Sequence, residues 1–328
     1  MNPALSVVLF TTLASAGLGA LAWLGVDLAL GLRVVAPARV VVVLAAALAL
    51  LAGGLLASFW HLGVKTRAWR AFSQWRSSWL SREAWLSLFA FVPALALGAH
   101  ALGRWPALPY EATAVALVLL AFATLYATTR IYTSLTAIPA WSRAPVAPAF
   151  FMLALAAGAC WTLALTAAPA NANVFAAVVA ALWLLAAALK IAYWRRIDTQ
   201  ALPATRESAT GLGRYGHVSV FESPHTEANF LLREMGYVLA RKHGKRLRAL
   251  CVGAMTSCAV LFAFAAARPG STMVVAMLAV LPATFAVFVE RWLFFAQARH
   301  LVTLYYGADP RAVADQGRPG FASSSPAP

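Results

Sequence analysis

His61 and Glu83 bracket a 23-residue stretch that also carries Lys65, Arg67, Arg70, Arg76 and Arg82, set between two long apolar runs. An imidazole titrates near neutrality, so His61 at such a boundary suits accepting a proton from, or hydrogen-bonding to, an oxygen of a lipid-soluble molecule. An interfacial His that only anchors a helix end is the plainer alternative. Glu83 opens the next apolar run, and a carboxylate entering apolar surroundings suits a proton acceptor, with Arg82 or Arg67 near enough to offset its charge. Ser81 and Glu83 equally fit a helix start, with Ser81 as the cap and the acid in the first turn.

A second cluster ends the fourth apolar run: Arg130, Tyr132, Thr133, Thr136, Pro139 and Trp141. Arg130 at membrane depth needs a partner, and Glu83 is the acid expected at the same level. Tyr132 and Trp141 also fit an interfacial aromatic belt. Glu290 and Arg291, adjacent in the last run, are expected to pair with each other or across helices.

The elements that must hold these residues follow from composition. With 62% hydrophobic and 11% charged residues over 328 positions and a mean hydropathy of +0.74, the chain is an integral membrane protein. The fold class is an all-α membrane protein, a bundle of about eight transmembrane helices. Runs of the roughly 20 residues a helical span requires lie near 4–26, 40–60, 84–103, 112–130, 146–168, 174–194, 249–267 and 271–295. Residues 1–10 contain no Lys or Arg, which argues against a cleaved signal peptide. The Arg268-Pro269-Gly270 connection permits only a tight turn, so the last two helices are expected as antiparallel neighbours.

The net charge of +15 is read as basic loops facing the cytoplasm or anionic lipid, not as nucleic-acid binding. An even number of spans puts both termini on one side, shared with the cation-rich loops around 61–83, 130–145 and 195–248. The other side has only Arg33, Arg39, Arg104 and Arg268. The rich side is therefore expected to be cytoplasmic.

Residues 195–248 form the one long polar connection, with a short amphipathic helix expected around 227–239. Its Gly211-Leu-Gly213-Arg-Tyr-Gly216 fits GxGxxG, but without a preceding strand it reads as a turn and not a phosphate cradle. The tail 306–328 is expected to be disordered. Cys160, Cys251 and Cys258 lack any ligand spacing and read as small buried hydrophobes. No span interior carries a histidine, so neither haem nor metal is expected in this chain.

The run His61-Leu-Gly63, Arg67-Ala68, Leu80-Ser81, Glu83, followed by Arg130-x-Tyr132 and Pro139-x-Trp141, resembles the membrane-anchor subunit of bacterial dimethyl sulfoxide reductases over about residues 1–305. The resemblance implies an anchor in the bacterial inner membrane that binds menaquinol and oxidises it in anaerobic respiration. Electrons then pass to an iron–sulfur subunit serving a molybdopterin catalytic subunit. His61 and Glu83 correspond to the family's quinol-site histidine and carboxylate; Arg67, Ser81, Arg130 and Tyr132 would line the quinol pocket; Arg70, Arg76 and Arg82 would dock the partner. One departure is in the last span, where Val287 stands one turn before Arg291 in place of the family's frequent glutamate. A second is sidedness, since the best-known members keep the quinol site on the periplasmic side. A transporter or channel ranks lower, because the spans read as nearly free of charge. A structural tether without a quinol site is the other alternative.

Overall fold

The computed structural model describes residues 3–33, 35–60, 62–166, 171–199, 202–222, 239–268 and 270–306, with only the backbone for 239–242 and 306. Among these residues eight helices are long and apolar enough to cross a membrane. They are α1 (Leu5–Leu30), α2 (Pro37–Trp60), α3 (Trp79–Ala101), α4 (Tyr110–Thr133), α5 (Val146–Leu165), α6 (Ala172–Thr199), α8 (Leu239–Ala267) and α9 (Thr272–Ala296); a five-residue α7 (Arg206–Thr210) sits in the long connection. His61, the 227–238 part of the expected amphipathic helix, and tail residues 307–328 lie outside the described residues.

Helix ends differ from expectation where local chemistry overrides hydropathy. The Ser78 hydroxyl accepts a hydrogen bond from the Ser81 amide at 3.4 Å, so α3 starts at Trp79 and the cap is Ser78, not Ser81. Ser81 is buried in the first turn and Glu83 falls beyond it. The basic stretch before Ala249 continues α8 outward by more than two turns, since lysine and arginine are good helix formers once outside the hydrocarbon. Helices α8 and α9 pack side by side across the tight turn, where Gly270 takes φ 91°.

The bundle has two halves built around α1. Helices α2, α4 and α5 pack along it, and α9 touches it as well. One apolar core fills α1–α4 and takes in Ala154 of α5; a second fills α5, α6, α8 and α9 and takes in Val8 and Ala16 of α1 and Tyr132 of α4. The halves join where α1 and α5 cross on glycine. A Cβ at Gly19 would lie 1.9 Å from the Ala154 carbonyl oxygen, and one at Gly158 would lie 2.2 Å from the Gly19 carbonyl carbon. Only bare backbone permits that approach, and van der Waals contact between small residues is what drives helix association in lipid. Trp23 fixes the crossing by donating to the Leu155 carbonyl oxygen at 2.9 Å.

At the end of α1, buried Asp27 pairs with Arg33, which also reaches Thr166 at 3.4 Å past the end of α5. Burial pushes the Arg33 guanidinium down to about 10, so it stays charged at neutral pH. The first helix, which a signal-peptide reading would remove, is thus the most buried span of the bundle.

The GxGxxG segment follows α7 as a short 3₁₀ turn, Leu212–Tyr215, with Gly211 and Gly216 at φ 70° and 134°. No strand precedes it among the described residues, and the turn reading holds. All three cysteines are buried.

Candidate functional site

Helices α3 and α4 are antiparallel neighbours, and their inner faces carry the site. On α3 the buried positions Glu83, Ser87, Ala90, Ala94 and Leu97 recur at helical spacing; on α4 Leu117, Ala121, Thr124, Thr128 and Tyr132 do the same. Glu83 is 3% exposed, and its carboxylate meets the Thr128 hydroxyl across the helix pair. That hydroxyl also lies 3.0 Å from the Thr124 carbonyl oxygen. It has a single hydrogen. Thr128 therefore donates to Glu83 when the acid is ionised, and is free to donate to Thr124 when Glu83 holds a proton and becomes the donor.

Arg130 is not the partner of Glu83, contrary to expectation. Two residues past Thr128, it points about 200° away around α4. Its guanidinium lies over the Trp79 ring at 5.3 Å, on the face where Trp79 also meets Tyr126. The buried Arg130 Nε and the Thr133 hydroxyl have no hydrogen-bond partner among the described residues.

Arg82 does not offset Glu83 either. It folds back on the preceding loop, donating to the Trp75 carbonyl oxygen at 3.0 Å and the Arg76 carbonyl oxygen at 2.6 Å. This closes the connection into a compact cationic hood: a 3₁₀ segment, Lys65–Phe72, is tied to α3 by Trp85 Nε1 donating to the Phe72 carbonyl oxygen at 3.1 Å. Arg67, Arg70 and Arg76 are exposed on it, the last two beside Trp69 and Trp75. Glu83 thus lies below a surface that carries positive charge and no acid between Val64 and Arg82.

Tyr132 and Trp141 are not an aromatic belt at the lipid boundary. Both are buried, and the Tyr132 ring packs within 6 Å of Trp141, Phe150, Phe294 and Phe295. Trp141 Nε1 donates to the Phe294 carbonyl oxygen at 3.1 Å. Tyr132 therefore links the α3–α4 face to α5 and α9.

Sequence reading missed what lies beyond Tyr132. Lys190 on α6 and Glu290 on α9 form a buried ion pair at 2.6 Å, and Arg291 donates to the other Glu290 oxygen at 2.8 Å. The expected Glu290–Arg291 pairing is present, both mutual and between helices. Lys190 was hidden as a lone cation inside an apolar run, and Asp27 likewise; with them the spans are not as charge-poor as composition suggested. Toward the surface, Arg248 holds Asp198 at 3.0 Å and Gln297 at 3.0 Å, tying α6, α8 and the end of α9.

Two comparisons bear on this arrangement. Residues 1–307 match the family described as DMSO reductase anchor subunit (DmsC). The chain is also 30% identical over 325 residues to the C subunit of the sulfite dehydrogenase of Allochromatium vinosum, covering 93% of this chain and 99% of that relative.

Proposed function

Because the chain belongs to the DMSO reductase anchor subunit family, a multi-pass membrane family, we propose that it holds a molybdopterin enzyme at the bacterial inner membrane and binds menaquinol beside Glu83. The observation that carries this reading is the buried Glu83–Thr128 contact beneath a cationic hood. The buried Arg130 Nε and Thr133 hydroxyl also lack protein partners among the described residues, but they stand on another face of α4 from Thr128, so the quinol contact proposed here is Glu83 itself. When bound, the quinol supplies two electrons and two protons.

The residues of this chain handle the protons and leave the electrons to the partner. Glu83 takes up one proton, and Thr128 turns its hydroxyl from Glu83 toward Thr124 as it does so. His61, at the end of the preceding apolar run, is assigned the other hydroxyl by sequence and resemblance. Ser81, buried in the first turn of α3, and Tyr132 behind the site hold the helix pair in register. Arg67, Arg70 and Arg76 present exposed charge to an acidic iron–sulfur subunit, while Arg82 keeps the hood folded. Quinol-dependent electron transfer in the assembled complex of a His61→Ala variant tests the assignment: unchanged turnover removes His61 from the mechanism.

The relative favours a second reading. A sulfite dehydrogenase withdraws electrons from its substrate, so an anchor of that kind feeds them to quinone, and Glu83 then gives up a proton where the first reading has it accept one. Supplying purified complex with sulfite and a quinone analogue, against quinol and dimethyl sulfoxide, separates the two directions.

A further inference from the structure

Four buried donor atoms around Lys190 and Glu290 have no acceptor among the described residues: Arg291 Nε and Nη2, the Tyr193 hydroxyl and Trp194 Nε1. Arg291 is 0% exposed, Tyr193 1% and Trp194 4%. The cluster also holds two cations against one acid. A buried excess charge with unfilled donors is a poor way to stabilise a bundle, and in membrane proteins such groups line polar pathways. Internal water making two to four hydrogen bonds is the ordinary way to satisfy them.

The cluster is connected to the surface by spacing. Lys190, Trp194 and Asp198 stand at i, i+4 and i+8 on one face of α6, a rise of about 12 Å. The Lys190 ammonium lies 3.9 Å from the Tyr193 ring centre and 5.3 Å from that of Trp194. The Arg248 guanidinium covers Trp194 at 5.5 Å and binds Asp198, whose side chain is one-third exposed. Cys251 faces the same seam from α8, with its Sγ at 3.5 Å from the Ala286 carbonyl oxygen. On the inner side, Arg291 lies 3.4 Å over the Phe150 ring, which packs on Tyr132 at the back of the Glu83 site.

We propose that the seam between α6, α8 and α9 is a hydrated proton path, with the Lys190–Glu290 pair as its buried end and Asp198 as its mouth, on the side of the membrane where α1 begins. An arriving proton neutralises the Glu290 carboxylate and loosens its hold on Lys190. The ammonium passes a proton to water held by the Tyr193 hydroxyl and takes the one on Glu290 in return, which restores the ion pair. Asp198 receives the proton at the surface. That these protons originate from quinol at Glu83 rests on the reading above; the path itself rests on the contacts around Lys190.

Hydroxyl-radical footprinting of the full chain in lipid nanodiscs detects bound water next to buried side chains. Tyr193 and Trp194 are expected to label about tenfold faster than Trp141, which is also buried but has its Nε1 satisfied by the Phe294 carbonyl oxygen, because only the former flank internal water. Equal protection of all three overturns the proposal. In vesicles containing the whole complex, Tyr193→Phe keeps the ring and removes the hydroxyl, and Asp198→Asn alters only the mouth. Both are expected to slow quinol-coupled proton release by about tenfold or more, with a larger solvent deuterium effect than the unmodified complex. Proton release at the unmodified rate in both variants overturns it. Glu83→Gln, assayed in parallel, separates the two ideas: if it alone stops turnover, the path falls and the quinol site stands; if it is harmless while Tyr193→Phe is slow, the reverse holds.

Discussion

Lys190 and Glu290 meet at 2.6 Å with neither side chain more than 2% exposed. Glu290 also serves Arg291, so the acid is the one anion shared by two buried cations. Glu290→Gln leaves both without a counter-ion and is expected to destabilise the bundle by about 3–5 kcal/mol, whereas Lys190→Met leaves the Glu290–Arg291 pair intact and costs less. Apparent Tm in detergent ranks the two; an equal or reversed order contradicts the shared-anion arrangement.

The Glu83–Thr128 contact makes a prediction about protons and not about assembly. Thr128→Val preserves shape and removes the hydroxyl. Quinol-dependent turnover is expected to fall by about 10²-fold in Glu83→Gln and by less in Thr128→Val, with partner subunits still bound. The pH–rate profile of Thr128→Val should shift, because the ionised acid has lost its donor. An unshifted profile would assign Thr128 to packing alone.

Glycine at the α1–α5 crossing is a steric requirement. Gly158→Ala places a methyl 2.2 Å from the Gly19 carbonyl carbon, while Gly53→Ala meets nothing closer than the Leu13 Cδ1 at 3.8 Å. The first is expected to cost about 1–3 kcal/mol through overpacking. The second should be neutral or slightly stabilising, since alanine is the better helix former. Thermal unfolding of the two variants side by side gives the comparison.

The connection outside the membrane carries its own pH dependence. Glu207 accepts hydrogen bonds from its own backbone N–H, the Val218 N–H at 3.1 Å and Thr205, with His217 at 2.9 Å, and these hold its carboxyl down at about 2 from the ordinary 4.5. The folded value is the lower one, so this support for the turn is complete above pH 4.5 and is lost as pH falls toward 2. Amide hydrogen exchange at Val218 should accelerate, relative to intrinsic chemistry, across that window. In Glu207→Gln the extra acceleration should disappear.

Exposed Arg70 and Arg76 should govern encounter with the partner more than the integrity of this chain. Under the proposed docking role, charge reversal at both is expected to slow association with the partner subunits by about tenfold at low salt and to flatten its salt dependence, with Tm unchanged. Surface plasmon resonance on the purified full chain in nanodiscs measures both rates.

The eight spans are readable because twenty apolar residues in a row have few other physical outcomes. Glu83 stands out for a related reason, as an acid where hydrocarbon begins. What the sequence hides is relational. Lys190 looks like a stray charge until α9 brings Glu290 against it, and the Tyr132 aromatic cluster depends on α5 and α9 arriving from distant parts of the chain. Depth alone pairs Arg130 with Glu83, but shared depth says nothing of azimuth: a residue two positions from Thr128 faces the opposite way around α4. Hydropathy alone makes Ser81 the cap, because it starts α3 later than the Ser78 hydroxyl does.

The position of α1 has a bearing on how the protein is made. α1 is made before the helices that come to surround it, and its Gly19 has no mate until α5 has been synthesised. The early helices must therefore wait in the lipid with an unfilled groove, which makes this stage of biogenesis the point at which an insertase or a membrane chaperone would have most to protect.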